Sequence, residues 1–143
     1  MKQITKRQGG FTLIEVVLVL AIGALIILMA LLAFNGAQRS RRDTARTNLV
    51  GTIQSSVEQY AGNAGGEYPD ATAFGVLVTT NKWEDPKGGA IATTGSSAAN
   101  PGILYLRGGS CSGTAIVGGS SNTAYAVQYK QENGQTACKS NTQ

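Results

Sequence analysis

Apolar and polar positions divide this chain into three zones. From Phe11 to Phe34, 21 of 24 residues are apolar, the exceptions being Thr12, Glu15 and Gly23. From Asn35 the apolar residues thin to a single stripe. Ala45, Leu49, Ile53, Val57 and Tyr60 or Ala61 recur every three or four positions, with Thr47, Asn48, Thr52, Gln54, Ser55, Glu58 and Gln59 between them. Gly36 and Gly51 weaken this run without breaking it, and Gly62-Asn63-Ala64-Gly65-Gly66 with Pro69 soon after marks its stop. The pattern predicts one helix from Phe11 to about Ala61, ~75 Å long at 1.5 Å per residue. Its first half is apolar all round and its second half amphipathic, a spine for something packed on one face.

The third zone, Gly62–Gln143, holds 14 of the 19 glycines and is rich in Ser, Thr and Asn. Phe74-Gly75-Val76-Leu77-Val78 reads as a short helix or a strand. Gly88–Asn100 is low in complexity and reads as an exposed loop. Strands are expected over Ile103–Arg107, Thr114–Val117 and Thr123–Lys130, the last with Tyr125, Val127 and Tyr129 on one face and Gln128 and Lys130 on the other. Asn133-Gly134 signals a two-residue hairpin, with Gln135–Lys139 as the returning strand. The expected fold is α+β: a long N-terminal helix, its amphipathic half packed against a small antiparallel sheet of three or four strands.

Composition sharpens this. There are 12 Lys and Arg against 8 Asp and Glu, and no histidine. Histidine-based triads, histidine-ligated metals and imidazole acid–base chemistry are therefore excluded. The basic residues cluster at the two ends of the apolar run, with Lys2, Lys6 and Arg7 before it and Arg39, Arg41, Arg42 and Arg46 after it. Beyond Arg46 there are five basic and six acidic residues, so the remainder is near neutral. Nucleic-acid binding is the usual reading of a basic protein, but charge flanking a membrane boundary accounts for this distribution better. The arginine cluster itself suits anionic lipid headgroups first, acids on neighbouring copies next and DNA last.

The 19 residues Val16–Phe34 form a helix of ~28 Å, the hydrocarbon thickness of a bilayer. A cleaved secretory signal fits poorly, because the apolar stretch is too long and no small-x-small site follows it. Two cysteines in the polar remainder point to an oxidising compartment for that part. Glu15 stands out, since a carboxylate inside an apolar span invites the question of its partner. Cleavage between Gly10 and Phe11 would supply one, a free α-amino group at Phe11.

Gly10-Phe11-Thr12-Leu13-Ile14-Glu15, after a short basic leader and before an apolar helix, resembles the class III signal of type IV pilins and pseudopilins. The resemblance implies four segments: residues 1–10 as a leader removed by prepilin peptidase, 11–34 as the membrane and filament-core helix, 35–62 as its amphipathic continuation, and 63–143 as a globular head. It implies Gly10 as the cleavage-site glycine, Phe11 as the methylated N-terminus, and Glu15, with Thr12, as the assembly site that neutralises the amine of a neighbouring subunit. The implied partners are copies of the same chain, the peptidase and N-methyltransferase, an assembly platform protein and ATPase, and the membrane before assembly. The precursor would sit in the cytoplasmic membrane with its head outside, and the mature subunit in a cell-surface fibre. A departure from many pilins is the absence of a proline in the helix; the first proline is Pro69. Glu67-Tyr68-Pro69 resembles the turn that leads into pilin heads.

Cys111 and Cys138 close a loop of 28 residues, counting both ends, and a bridge of that size stabilises by ~3.5 kcal/mol. Their spacing is far from C-x-x-C, so a structural bond is expected, similar to the C-terminal loop of pilins. Glu84-Asp85 and Glu67…Asp70 are the acidic pairs, both among turn residues. Some pseudopilins bind calcium near the C-terminus, where this chain offers only Glu132. No phosphate loop, triad or metal-ligand spacing appears, so no cofactor, metal or catalytic residue is expected, and the chain reads as a structural subunit rather than an enzyme. A major pilin is the leading reading. A minor pilin or a secretion or competence pseudopilin is the alternative, followed by a membrane-anchored binding domain that never polymerises.

Overall fold

The computed structural model describes residues 10–95, 97–99 and 102–142. The expected leader lies outside the described residues except for Gly10, as do Ser96 and Asn100 of the expected loop and Gln143 of the expected head. Two compact units are resolved, Met1–Gln38 and Arg39–Gln143. Helix α1, Leu13–Asn63, contributes to both. In the first unit it is bare. Its large apolar side chains from Leu13 to Phe34 are all exposed, none less than Val16 at 49%. Among the described residues this is the one helix long and apolar enough to cross a membrane.

The second unit is α+β. After α1 come α2 (Ala71–Asn81), β1 (Gly102–Arg107), β2 (Ser110–Ser112), β3 (Ala115–Val117), β4 (Tyr125–Lys130) and β5 (Thr136–Ser140). Strands β1, β4 and β5 form an antiparallel sheet in the order β1-β4-β5, and β2 and β3 pair as a separate ribbon. Helix α1 closes through Gly65 and Gly66, both at positive φ, with the Gly66 N–H donating to the Ala61 carbonyl at 2.8 Å. The ambiguous run Phe74–Val78 is helical. Asp70 caps it, accepting from the Ala73 N–H at 2.8 Å, and Phe74, Leu77 and Val78 turn inward at helical spacing.

One sheet face packs on the stem. Val50, Ile53, Val57 and Ala61 of α1 meet Ile103 and Tyr105 of β1, Tyr125, Val127 and Tyr129 of β4, and Phe74 of α2. The rings of Phe74 and Tyr105 stack at 4.0 Å. This corrects the expected stripe. Ala45 is exposed and Leu49 only half-buried, while Asp43 and Arg46 are buried. The inward row runs Arg46, Val50, Ile53, Val57, Ala61, and its first position is ionic.

The other sheet face is covered as well. Leu104 and Ala126 pack with Ala98 and Ile116, and Cys111 of β2 is bonded to Cys138 of β5, with Cα atoms 5.7 Å apart. Strand β4 therefore has no solvent face, contrary to the expected alternation. Gln128 is buried, its Oε1 accepting from the Ala98 N–H and its Nε2 donating to the Thr114 carbonyl, both at 2.7 Å. The segment expected as an exposed loop is partly docked. Ala92 bridges β1 in parallel fashion at Leu104, and Ile91 and Ala98 are buried. The turn joining β4 and β5 is also longer than expected. Gln131 pairs with Gln135, leaving a three-residue loop, Glu132-Asn133-Gly134, with Gly134 at φ +87°.

An ion network latches the head to its stem. Arg46, fully buried, donates in bidentate fashion to Asp85 at 2.7 and 2.6 Å and to Asp43 at 2.9 Å. Asp43 also accepts from the Glu132 N–H at 2.9 Å, and Arg42 grips the Glu132 carboxylate at 2.5 and 2.8 Å. Three segments distant in sequence, the stem, the loop before β1 and the β4–β5 turn, converge there. Burial alone would raise the Asp85 carboxyl. The Arg46 hydrogen bonds, the Lys87 N–H and the nearby positive charges outweigh it, and Asp85 titrates below its ordinary value. Glu132 is lowered by its Arg42 hydrogen bonds, against some desolvation.

Both carboxyls release their protons more readily folded than unfolded, so their contribution is present above the ordinary carboxyl value of about 4 and fades as pH falls through the folded values. The melting temperature of the head should hold steady from about pH 7 to 5 and decline below about pH 4. Asp85→Asn should cost ~1.5–3 kcal/mol at neutral pH by breaking the bidentate pair while Asp43 still holds Arg46, and should flatten the acid decline. Thermal unfolding of the full chain across pH checks both, and an unchanged acid limb would contradict the latch. Replacing Cys111 and Cys138 together with serine should lower head stability by ~2–5 kcal/mol in denaturant titrations; an unchanged midpoint would contradict a stapling role.

Candidate functional site

The first turn of α1 is built around Thr12 and Glu15. Thr12 precedes the first helical residue, Leu13, and stands as its N-cap. Its backbone N–H donates to Glu15 Oε2 at 2.8 Å and its hydroxyl donates to the same oxygen at 2.6 Å. The Glu15 N–H returns a longer bond to Thr12 Oγ1 at 3.4 Å. This is a capping box, in which cap and third residue satisfy one another's orphan donors. The helix dipole adds to it, because a carboxylate at the first turn faces the positive end.

The arrangement answers the question Glu15 posed. A carboxylate in an apolar segment is more tolerable when hydrogen-bonded, and here the chain itself supplies two donors to one of its oxygens, Oε2. The T-x-x-E spacing of Thr12 and Glu15 signals this cap in the sequence, a signal that the expectation of a new amine for Glu15 leaves unused. Gly10 and Phe11 lie just outside the helix, both exposed, with Phe11 at 90%. The peptide bond between them is thus clear of regular structure. Phe11, Thr12 and Glu15 share the last few residues before the bare apolar rod, and hydrolysis after Gly10 would place a cation one residue ahead of the cap.

The other singled-out residues are dispersed. Arg42 and Arg46 are bound to acids of the head, which leaves Arg39 and Arg41 as the exposed members of the arginine cluster. That halves the positive charge offered to lipid or nucleic acid. Of the acidic pairs, Asp70 caps α2 and Asp85 holds Arg46, so neither pair presents two carboxylates to one substrate atom. Glu132 is held by Arg42. Among the described residues no group of three potential metal ligands comes together. Glu58 accepts from the hydroxyls of Tyr68 and Tyr125, each at 3.0 Å, a polar clasp at the other end of the stem–sheet core. Burial raises the Tyr125 and Tyr105 hydroxyls well above the ordinary phenol value, so both stay protonated as donors. These contacts hold the head together and leave the N-terminal end as the chemically distinctive part of the chain.

Residues 5–31 match the family described as the prokaryotic N-terminal methylation motif. No curated protein and no solved structure matches the chain. The matched stretch spans the end of the basic leader, Gly10, Phe11, the Thr12–Glu15 cap and most of the apolar rod, and it is followed by an α+β head. The N-terminus of this chain thus carries, at residues 5–31, the prokaryotic N-terminal methylation motif, the class III signal peptide found in type IV pilins.

Proposed function

We propose that this chain is a structural subunit, the major pilin, of a type IV pilus. One observation carries the reading: an acid, Glu15, held by a capping box at the mouth of a helix whose next 19 residues have no polar side chain and whose large apolar side chains are all exposed among the described residues. In this reading the peptidase hydrolyses the Gly10–Phe11 bond on the cytoplasmic side, water supplying the hydroxyl to Gly10 and the proton to the departing amine. An activated methyl donor of the N-methyltransferase then passes one methyl group to the Phe11 amine in exchange for a proton, and the resulting secondary ammonium remains a cation. As a subunit leaves the membrane, Glu15 exchanges its Thr12 donors for the Phe11 ammonium of a neighbour, and the pairing sets the register of adjacent rods. Apolar residues 16–34 pass from lipid to the same residues of other copies without meeting water.

Removing residues 1–10 takes away three basic side chains and no acid, so the net side-chain charge falls from +4 to +1. The leader's positive charge belongs to the cytoplasmic side, and the mature subunit is nearly neutral, as close packing of many copies requires.

Intact mass measurement on protein from its native host should give a chain starting at Phe11 and heavier by one methyl group; a chain starting at Met1 would contradict processing. Glu15→Ala should abolish filaments seen by electron microscopy of sheared cell-surface material, while membrane insertion and leader removal stay unchanged. Undiminished filaments would remove the assembly role from Glu15.

A further inference from the structure

Apart from its ion-paired residues and Lys139, which lies along the sheet opposite Val127, the head carries its charges at two ends, with Lys130 beside the β4–β5 turn at the end that holds the Arg46 network. The near end is where the chain comes in from Gln38. It bears the exposed Arg39 and Arg41, and it also holds Lys82 and Lys87. Lys82 closes α2, and Lys87 donates its N–H to Asp85, the partner of Arg46. Glu84 is the exposed acid there, and the Arg42, Asp43, Arg46, Asp85 and Glu132 network beside it totals one net negative charge. The near end is therefore net positive. At the far end, Glu67 follows α1, Asp70 begins α2 and Glu58 holds Tyr68, with Arg107 as the opposing cation across from Tyr125. The far end is net negative.

The ends do not cancel. Arg41 and Glu58 are 17 residues apart on one helix, ~26 Å, and Asp70 and Lys82 are separated by the length of α2. Those spans are about three and about two Debye lengths at physiological salt, ~8 Å each. Each end therefore attracts only what comes into contact with it. Two near ends repel, two far ends repel, and a near end against a far end is attractive. Such a contact is heterologous. It uses two different patches of one surface, leaves a free patch on each terminal copy, and propagates into an open helical array unless the rotation closes a ring.

We infer that the head of this chain docks on another copy of itself end to end, the basic near end (Arg39, Arg41, Lys82, Lys87) against the acidic far end (Glu58, Glu67, Asp70) of the next copy. This rests on the polymer reading above and adds to it a second, salt-sensitive interface that is separate from the apolar rods. The rods supply lateral cohesion, and the heads supply an axial contact with a fixed direction, because only one order of ends attracts.

A carbodiimide that joins amines to carboxylates at contact distance tests this on filaments of the unmodified chain, followed by peptide mass spectrometry. The expected products link Lys82 or Lys87 to Glu67 or Asp70, pairs too far apart within one head to be joined. Their yield should fall at least tenfold in Arg39→Glu/Arg41→Glu filaments, and similarly in ~1 M salt, where the screening length is ~3 Å. Filaments that yield only same-end links, or end-to-end links indifferent to reversal and salt, overturn the inference while leaving the polymer reading intact. Absence of filaments from the unmodified chain overturns both. An amine-reactive label that spares Lys82 and Lys87 in phosphatidylglycerol vesicles holding the full chain, yet modifies them fully in filaments, would place the near end against lipid headgroups and overturn docking between copies.

Discussion

Nineteen successive residues without a polar side chain cannot remain in water. Each large aliphatic group of Val16–Phe34 is worth ~1.5–3 kcal/mol of transfer out of water, so the segment as a whole represents tens of kcal/mol. Among the described residues nothing covers its large apolar side chains, which are all at least 49% exposed. A bilayer can, and so can the same segment of other copies, and the biology proposed for this protein is the passage from one to the other. Every other feature is compatible with that passage. The head has a core of its own. Glu15 must be tolerable in lipid yet available to a neighbour, and the Thr12 cap provides donors that can be exchanged.

The core of the head is layered: aliphatic and aromatic side chains between α1 and one face of β1-β4-β5, and a small aliphatic cluster under the β2–β3 ribbon with the disulfide on the other. Where the apolar row on α1 runs out, at Arg46, an ion network continues the contact to Asp85 and the β4–β5 turn. Glu58 does the same at the opposite end through Tyr68 and Tyr125. Polar clasps thus bracket an apolar middle. Buried ions add little net stability by themselves, but they penalise wrong registers strongly. Between Arg42 and Glu58 they fix which face of the stem receives the sheet.

Much of this was legible in the sequence because it rests on periodicity and on local chemistry. The long helix, expected over Phe11 to about Ala61 and found over Leu13–Asn63, the strands expected over Ile103–Arg107, Thr114–Val117, Thr123–Lys130 and Gln135–Lys139 and found within two residues of those starts, and the Cys111–Cys138 pairing follow from apolar spacing, turn glycines and the presence of only two cysteines. What was not legible depends on contacts between distant segments. Nothing local distinguishes Arg46 from Arg41, yet one is buried against Asp85, 39 residues away, and the other is exposed. Gln128 looked solvent-facing because alternation shows only that one face is polar, and not that Ala98 and Thr114 come to meet it. The three-residue strand β2 is too short to leave a pattern, and its place is set by the bond to β5. At the N-terminal site, Gly10, Phe11 and Glu15 were readable as a motif, whereas the Thr12–Glu15 cap was in plain view as T-x-x-E and was obscured by the search for a charged partner.

The central claim is that one set of side chains serves first as anchor and then as filament core, with Glu15 as the group that makes the exchange. Helical reconstruction of the native filament by electron cryomicroscopy tests it most directly. The account predicts residues 16–34 packed against the same residues of neighbouring copies, and a Glu15 carboxylate within hydrogen-bond reach, about 3 Å, of the Phe11 amine of an adjacent subunit. A filament held by its heads alone, with the rods facing outward and Glu15 still bonded only to its own Thr12, would contradict it.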